Sequence, residues 1–83
     1  MILREIFAKN VRLARKHKGL SQEDLAFESG LDRTYISCLE RCVYSPSLDA
    51  VEKLAAAFEL EPYWLLMTPA EQEQSEMAEE DPA

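Results

Sequence analysis

The chain has 83 residues, 47% of them apolar, and a formal net charge of −7. That is one small domain with enough apolar content for a single core, and it has no run of eighteen apolar residues to cross a membrane. The acidic balance argues against strong general affinity for nucleic acid, yet most of it lies beyond Thr68, where there are six acids and no base; the first 68 residues hold nine bases and ten acids, and Lys9 to Arg41 hold seven bases and five acids.

The opening residues lack the basic-then-apolar layout of a secretion signal, so a cytoplasmic location is expected. Leu3, Phe7, Val11 and Ala14 recur at helical spacing and predict a first helix to about Lys18, with Lys9, Arg12 and Lys16 on its other side. Gly19 ends it. Ser21 is a good N-cap, with Glu23 and Asp24 in the following turn, so a second helix begins there with Leu25 and Ala26 inward. Ser29-Gly30 stops that helix, because glycine accepts the left-handed backbone of a sharp reversal. Asp32 then caps a third helix from Arg33 to about Arg41. Two short helices joined by a glycine turn match a helix-turn-helix.

After a loop from Cys42 to Pro46, Ser47 caps a fourth helix whose core stripe is Val51, Leu54, Ala55 and Phe58. Leu60-Glu61-Pro62 breaks it, and the proline starts a short fifth helix, Tyr63 to Met67. Thr68 to Glu71 can cap a further turn. Beyond it Met77 is the sole large apolar side chain, and little ordered structure is expected. There is no strand signal. The expected fold is all-α, with five helices over residues 1–68 and an acidic tail over 69–83.

The third helix carries the functional signal. At 100° per residue, Arg33, Thr34, Ser37, Cys38 and Arg41 share an arc of about 140°, while Ile36 and Leu39 lie opposite and Tyr35 flanks. Arginine near a helix start can make two hydrogen bonds to guanine, and Thr34 and Tyr35 can meet thymine methyls or phosphates. The same periodicity is satisfied by an ordinary amphipathic surface helix.

The joint spacing of several pieces resembles the Cro/CI-type, or Xre-type, helix-turn-helix regulators. These are Val11-Arg12-x-x-Arg15, Gly19-Leu20-Ser21-Gln22-Glu23-x-Leu25-Ala26, Gly30-Leu31, Tyr35-Ile36-Ser37-x-Leu39-Glu40-Arg41 and Pro46-Ser47-Leu48. Leu31 to Ser37 looks most like restriction–modification controller proteins, and the same heptad also recurs in orphan regulators of bacteria and mobile elements. The resemblance implies a five-helix lambda-repressor-like fold and a homodimer on a palindromic double-stranded DNA operator; RNA polymerase is a further candidate partner, and no cofactor is expected. It implies base contacts from Arg33, Thr34, Tyr35, Ser37 and Cys38, and backbone contacts from Gln22, Arg41 and Tyr44. It also implies a structural ion pair between Arg15 and Glu40, tying the first helix to the third.

Two positions depart from the family pattern. Cys42 stands where many relatives have glycine at the end of the third helix, so either a non-glycine residue takes the left-handed cap or the loop follows another path. Val43-Tyr44 replaces a loop that often carries a base. Cys38 and Cys42 read as isolated thiols; with one histidine in the chain there is no evident four-ligand metal set. Tyr63, Trp64, Leu65 and Met67 are too apolar for an exposed short helix; they either cap the core or offer a patch to a second subunit. The acidic tail is a solvated end or a weak competitor for the DNA face. No nucleophile–base pair, phosphate loop or metal set supports an enzyme. The rival class is a protein-interaction module of the same fold, such as an antitoxin or co-regulator.

Overall fold

Side-chain caps start three helices of the computed structural model, which describes residues 3–72. The Ser21 hydroxyl accepts the Asp24 N–H at 2.9 Å while the Asp24 carboxylate accepts the Ser21 N–H at 3.0 Å, a reciprocal capping box. Asp32 accepts the Thr34 N–H at 2.7 Å and Ser47 the Ala50 N–H at 3.0 Å. These caps set the starts of α2 (Gln22–Ser29), α3 (Arg33–Glu40) and α4 (Leu48–Phe58). They follow α1 (Leu3–His17) and precede a 3₁₀ helix, Pro62–Leu66. The expected fifth α-helix is therefore a tighter element beginning at the proline itself. Thr68 and Glu71 cap one more turn reciprocally, at 3.0 and 3.3 Å, within residues 69–72. The acidic segment beyond residue 72 lies outside the described residues. Among those described there is no strand, and no helix is long and apolar enough to cross a membrane.

The helix ends are as informative as their starts. Gly30 takes φ +74° with no atom within 4 Å of a would-be Cβ, so backbone conformation alone demands glycine there. Cys42 takes φ 62°, which settles the choice posed by the sequence in favour of a left-handed non-glycine cap. Its N–H bonds the Leu39 carbonyl at 3.1 Å and the Val43 N–H bonds the Cys38 carbonyl at 2.8 Å, the paired bonds of a Schellman ending.

The core lies where all five helices meet: Phe7, Val11, Leu25, Ile36, Leu39, Leu54 and Leu65 are fully buried. Each contributes roughly 1.5–3 kcal/mol of burial before the entropy of ordering is counted. Leu3, expected on the apolar stripe of α1, is instead exposed, one turn beyond the reach of the core. Asn10 takes a buried position on that stripe. Its amide donates to the carbonyls of Leu65 at 2.9 Å and Met67 at 2.8 Å, fastening the 3₁₀ helix to α1.

Candidate nucleic-acid interface

The cap at Asp32 and the burial of Ile36 and Leu39 orient α3 so that its first turn points away from the core. Arg33 and Thr34 are exposed there, Ser37 is half-buried one turn on, and Arg41 is exposed at the far end. The Arg41 guanidinium folds back on its own helix, onto the Ser37 carbonyl at 3.4 Å and the Cys38 thiol at 3.7 Å. Tyr35 is half-buried; its hydroxyl accepts the Ser47 N–H at 3.4 Å, and its ring lies 6.3 Å from that of Tyr44 at 33°. The two tyrosines thereby tie α3 to the loop before α4, and Tyr44 stays exposed on that loop.

Cys38 departs from expectation. It is 8% exposed, beneath the polar arc rather than on it, with the Arg41 side chain against its sulfur. The helical wheel puts it at the edge of the arc, and at the edge a small thiol is covered by longer neighbours. With Arg41 in that position little of the thiol is left to meet a base.

Behind the exposed turn, Glu40 gathers three elements. Its carboxylate is 3% exposed and takes two bonds from Arg15, Nε at 2.7 Å and Nη2 at 3.0 Å. The Gln22 amide donates to the same carboxylate at 3.1 Å, and Arg15 also donates to the Leu20 carbonyl at 3.0 Å. The hydrogen bond to Glu40 raises the Arg15 pKa above its already high ordinary value, while burial works against it, so the guanidinium stays charged. Gln22, expected to face a phosphate, is thus half-buried with one amide hydrogen committed to Glu40. Arg12, assigned by the sequence to the outer side of α1, reaches across to the main-chain carbonyl of Glu40. No local signal announces that contact. Asn10, by contrast, was detectable as a polar residue in line with Phe7, Val11 and Ala14.

The residues expected to meet a second subunit divide. Leu65 is 0% exposed and belongs to the core, so it cannot serve an interface. Tyr63 is exposed, and Trp64 and Met67 are half-buried around it. Trp64 also lines an open groove of about 700 Å³ with Leu13, Lys16, Phe58 and Leu60. Among the described residues, no cluster of three or more histidine, cysteine or carboxylate side chains could hold a metal ion.

This geometry is that of a short exposed helix start braced from behind by Arg15 and Glu40. A helix-turn-helix family model matches residues 11–65. A hypothetical transcription factor of Neisseria meningitidis is 49% identical over 69 residues, covering 83% of this chain; the chain spans 65% of that relative's own length. The structure of restriction-modification controller protein C.AhdI from Aeromonas hydrophila is 47% identical with a TM-score of 0.72, covering 75% of this chain and 94% of that one. The structure of controller protein C.Esp1396I, a tetramer in complex with its natural 35 base-pair operator, is 32% identical with a TM-score of 0.72, covering 78% and 86%.

Proposed function

The chain belongs to the helix-turn-helix family, and from that we propose that it is a sequence-specific DNA-binding transcriptional regulator, occupying a palindromic operator as a homodimer. The observation that carries this reading is the exposed first turn of α3, with Arg33 and Thr34 outward on a helix braced through Arg15 and Glu40. An α-helix fits the major groove, and an arginine at its leading turn can bond both guanine acceptors. Tyr35 and Ser37 flank that turn as the proposed further base or sugar contacts, and Gln22, Arg41 and Tyr44 are the proposed contacts to backbone phosphates.

The size of α3 supports dimerisation as part of this proposal. One eight-residue helix touches too few bases for an operator, whereas two related helices about 34 Å apart read half-sites one DNA turn apart. Tyr63, Trp64 and Met67 are the proposed contact patch. Likeness to C.AhdI favours control of a restriction–modification system. A second reading, a protein-interaction module, draws on the net charge of −7 and on Phe27, which is 89% exposed on α2 close to Glu23 and Glu28. The same acidic face is the surface we assign to RNA polymerase if the protein activates transcription. Selection from random duplexes tests the main reading. An inverted repeat with half-sites about ten base pairs apart supports it; failure to enrich any sequence supports the interaction module.

A further inference from the structure

Arg12 has no role in the expected set of DNA contacts, yet its position is specific. We infer that Arg12 is a DNA-backbone cation, held beside Gln22 by Glu40 so that the two grip one phosphate; this rests on the regulator reading above. Two observations carry it. First, Glu40 binds both side chains, Arg12 through its main-chain carbonyl and Gln22 through its carboxylate, so residues ten apart on separate helices converge on a single residue. Second, the charges do not cancel. The Glu40 carboxylate is taken by Arg15, and the other ion pair among the described residues joins Lys18 to Glu59, so Arg12 keeps an uncompensated positive charge while remaining exposed.

A guanidinium has five N–H donors, and the Glu40 carbonyl occupies one group of them. The Gln22 amide likewise keeps one hydrogen after bonding Glu40. A cation and a neutral donor, both anchored on the same buried residue, form a pre-set pair for one phosphate oxygen pair. In a body whose first 68 residues hold nine bases and ten acids, each such free cation is a large share of the attraction to DNA. The competing role for Arg12 is purely structural, satisfying a carbonyl in the last turn of α3 and offsetting its dipole. That role changes stability alone.

The two are separated by salt titration of DNA binding with the full-length chain. Arg12→Gln keeps a donor for the Glu40 carbonyl and removes the charge; Arg12→Lys keeps the charge. The inference expects Arg12→Gln to lower the slope of log affinity against log salt by about 0.9 per chain, to weaken selected and random duplexes alike, and to leave base preference unchanged. Arg12→Lys should hold the wild-type slope. A scan of single methylphosphonates should find one phosphate per half-site to which wild type is sensitive and to which both Arg12→Gln and Gln22→Ala are markedly less sensitive. An unchanged slope in Arg12→Gln, with only a lower melting temperature, overturns the inference and leaves the regulator reading standing. If wild type itself binds no duplex, the regulator reading fails and the inference falls with it. Should Arg12→Gln not fold, the methylphosphonate scan of Arg12→Lys decides: loss of the Gln22-dependent phosphate overturns the pairing and its retention supports it.

Discussion

Replacing Glu40 by alanine should cost about 3–5 kcal/mol of folding stability, because it leaves a largely buried guanidinium without its anion. Arg15 is only 14% exposed on its side chain and would lose two charge-assisted hydrogen bonds, keeping the one to Leu20. Gln22 would lose its partner as well. A chain of this length has a total stability of roughly 4–12 kcal/mol, so the loss is a large share of the whole. In thermal terms it amounts to about 12–40 °C. Urea unfolding followed by circular dichroism is the assay, run as a double-mutant cycle with Arg15→Met. The two single variants should each be strongly destabilised. The double variant should be markedly more stable than the sum of the two losses, since removing both charges leaves neither stranded. A loss below about 1 kcal/mol for Glu40→Ala, or strictly additive effects, would refute the view that this pair braces α1 against α3.

Other consequences are open to direct measurement. Cys42→Gly should stabilise the protein by about 0.5–1 kcal/mol in chemical denaturation, the relief of a left-handed backbone outweighing the added freedom of the unfolded chain. Asn10→Ala should lower stability by roughly 1–3 kcal/mol, because the Leu65 carbonyl loses its Asn10 donor and the Met67 carbonyl keeps only the long 3.4 Å bond from Gln72, and it should loosen the 3₁₀ helix in hydrogen exchange before the rest of the fold. The Asp24 carboxyl is held below the usual carboxylate range, first by the Ser21 N–H and then by its hydroxyl. A carboxyl lowered on folding adds stability that is present above its unfolded pKa and is lost as pH falls through its folded value. The melting difference between wild type and Asp24→Asn should therefore be full near neutrality and shrink in acid; a difference independent of pH would contradict the capping box. Arg33→Ala should cost roughly 1–3 kcal/mol on a selected operator and relax preference at one base step, with little change on random DNA.

What the sequence revealed and what it hid follow from the range of the interactions. Ser21, Asp32 and Ser47 cap helices through bonds spanning two or three residues, so each start could be read locally. Gly30 was equally plain, since its left-handed turn depends on its own backbone. The central part of the polar arc on α3 was also visible, because Ile36 and Leu39 fix which side is buried. Its edge was not: whether Cys38 is covered depends on where the Arg41 side chain lies. In the segment Tyr63 to Met67 every residue but one is strongly apolar, and the pattern could not say that Leu65 is the one to enter the core. Asn10 supplies that selection from 55 residues away, by holding the Leu65 carbonyl. Arg12 meets Glu40 across 28 residues, a contact that exists only once α1 and α3 have packed. The family motif carried Arg15 and Glu40 across the same kind of distance, which composition and periodicity alone do not do.

The exposed first turn of α3 is the centre of this account, and quantitative binding to a selected operator at about 0.15 M salt tests it most directly. The near-neutral body predicts weak attachment to random duplex and a preference for the operator of at least about 10³-fold. Two chains should bind each inverted repeat, and Arg33→Ala should reduce that preference by roughly 1–3 kcal/mol. Equal affinity for operator and random DNA, or binding of one chain per site with Arg33 dispensable, would contradict it.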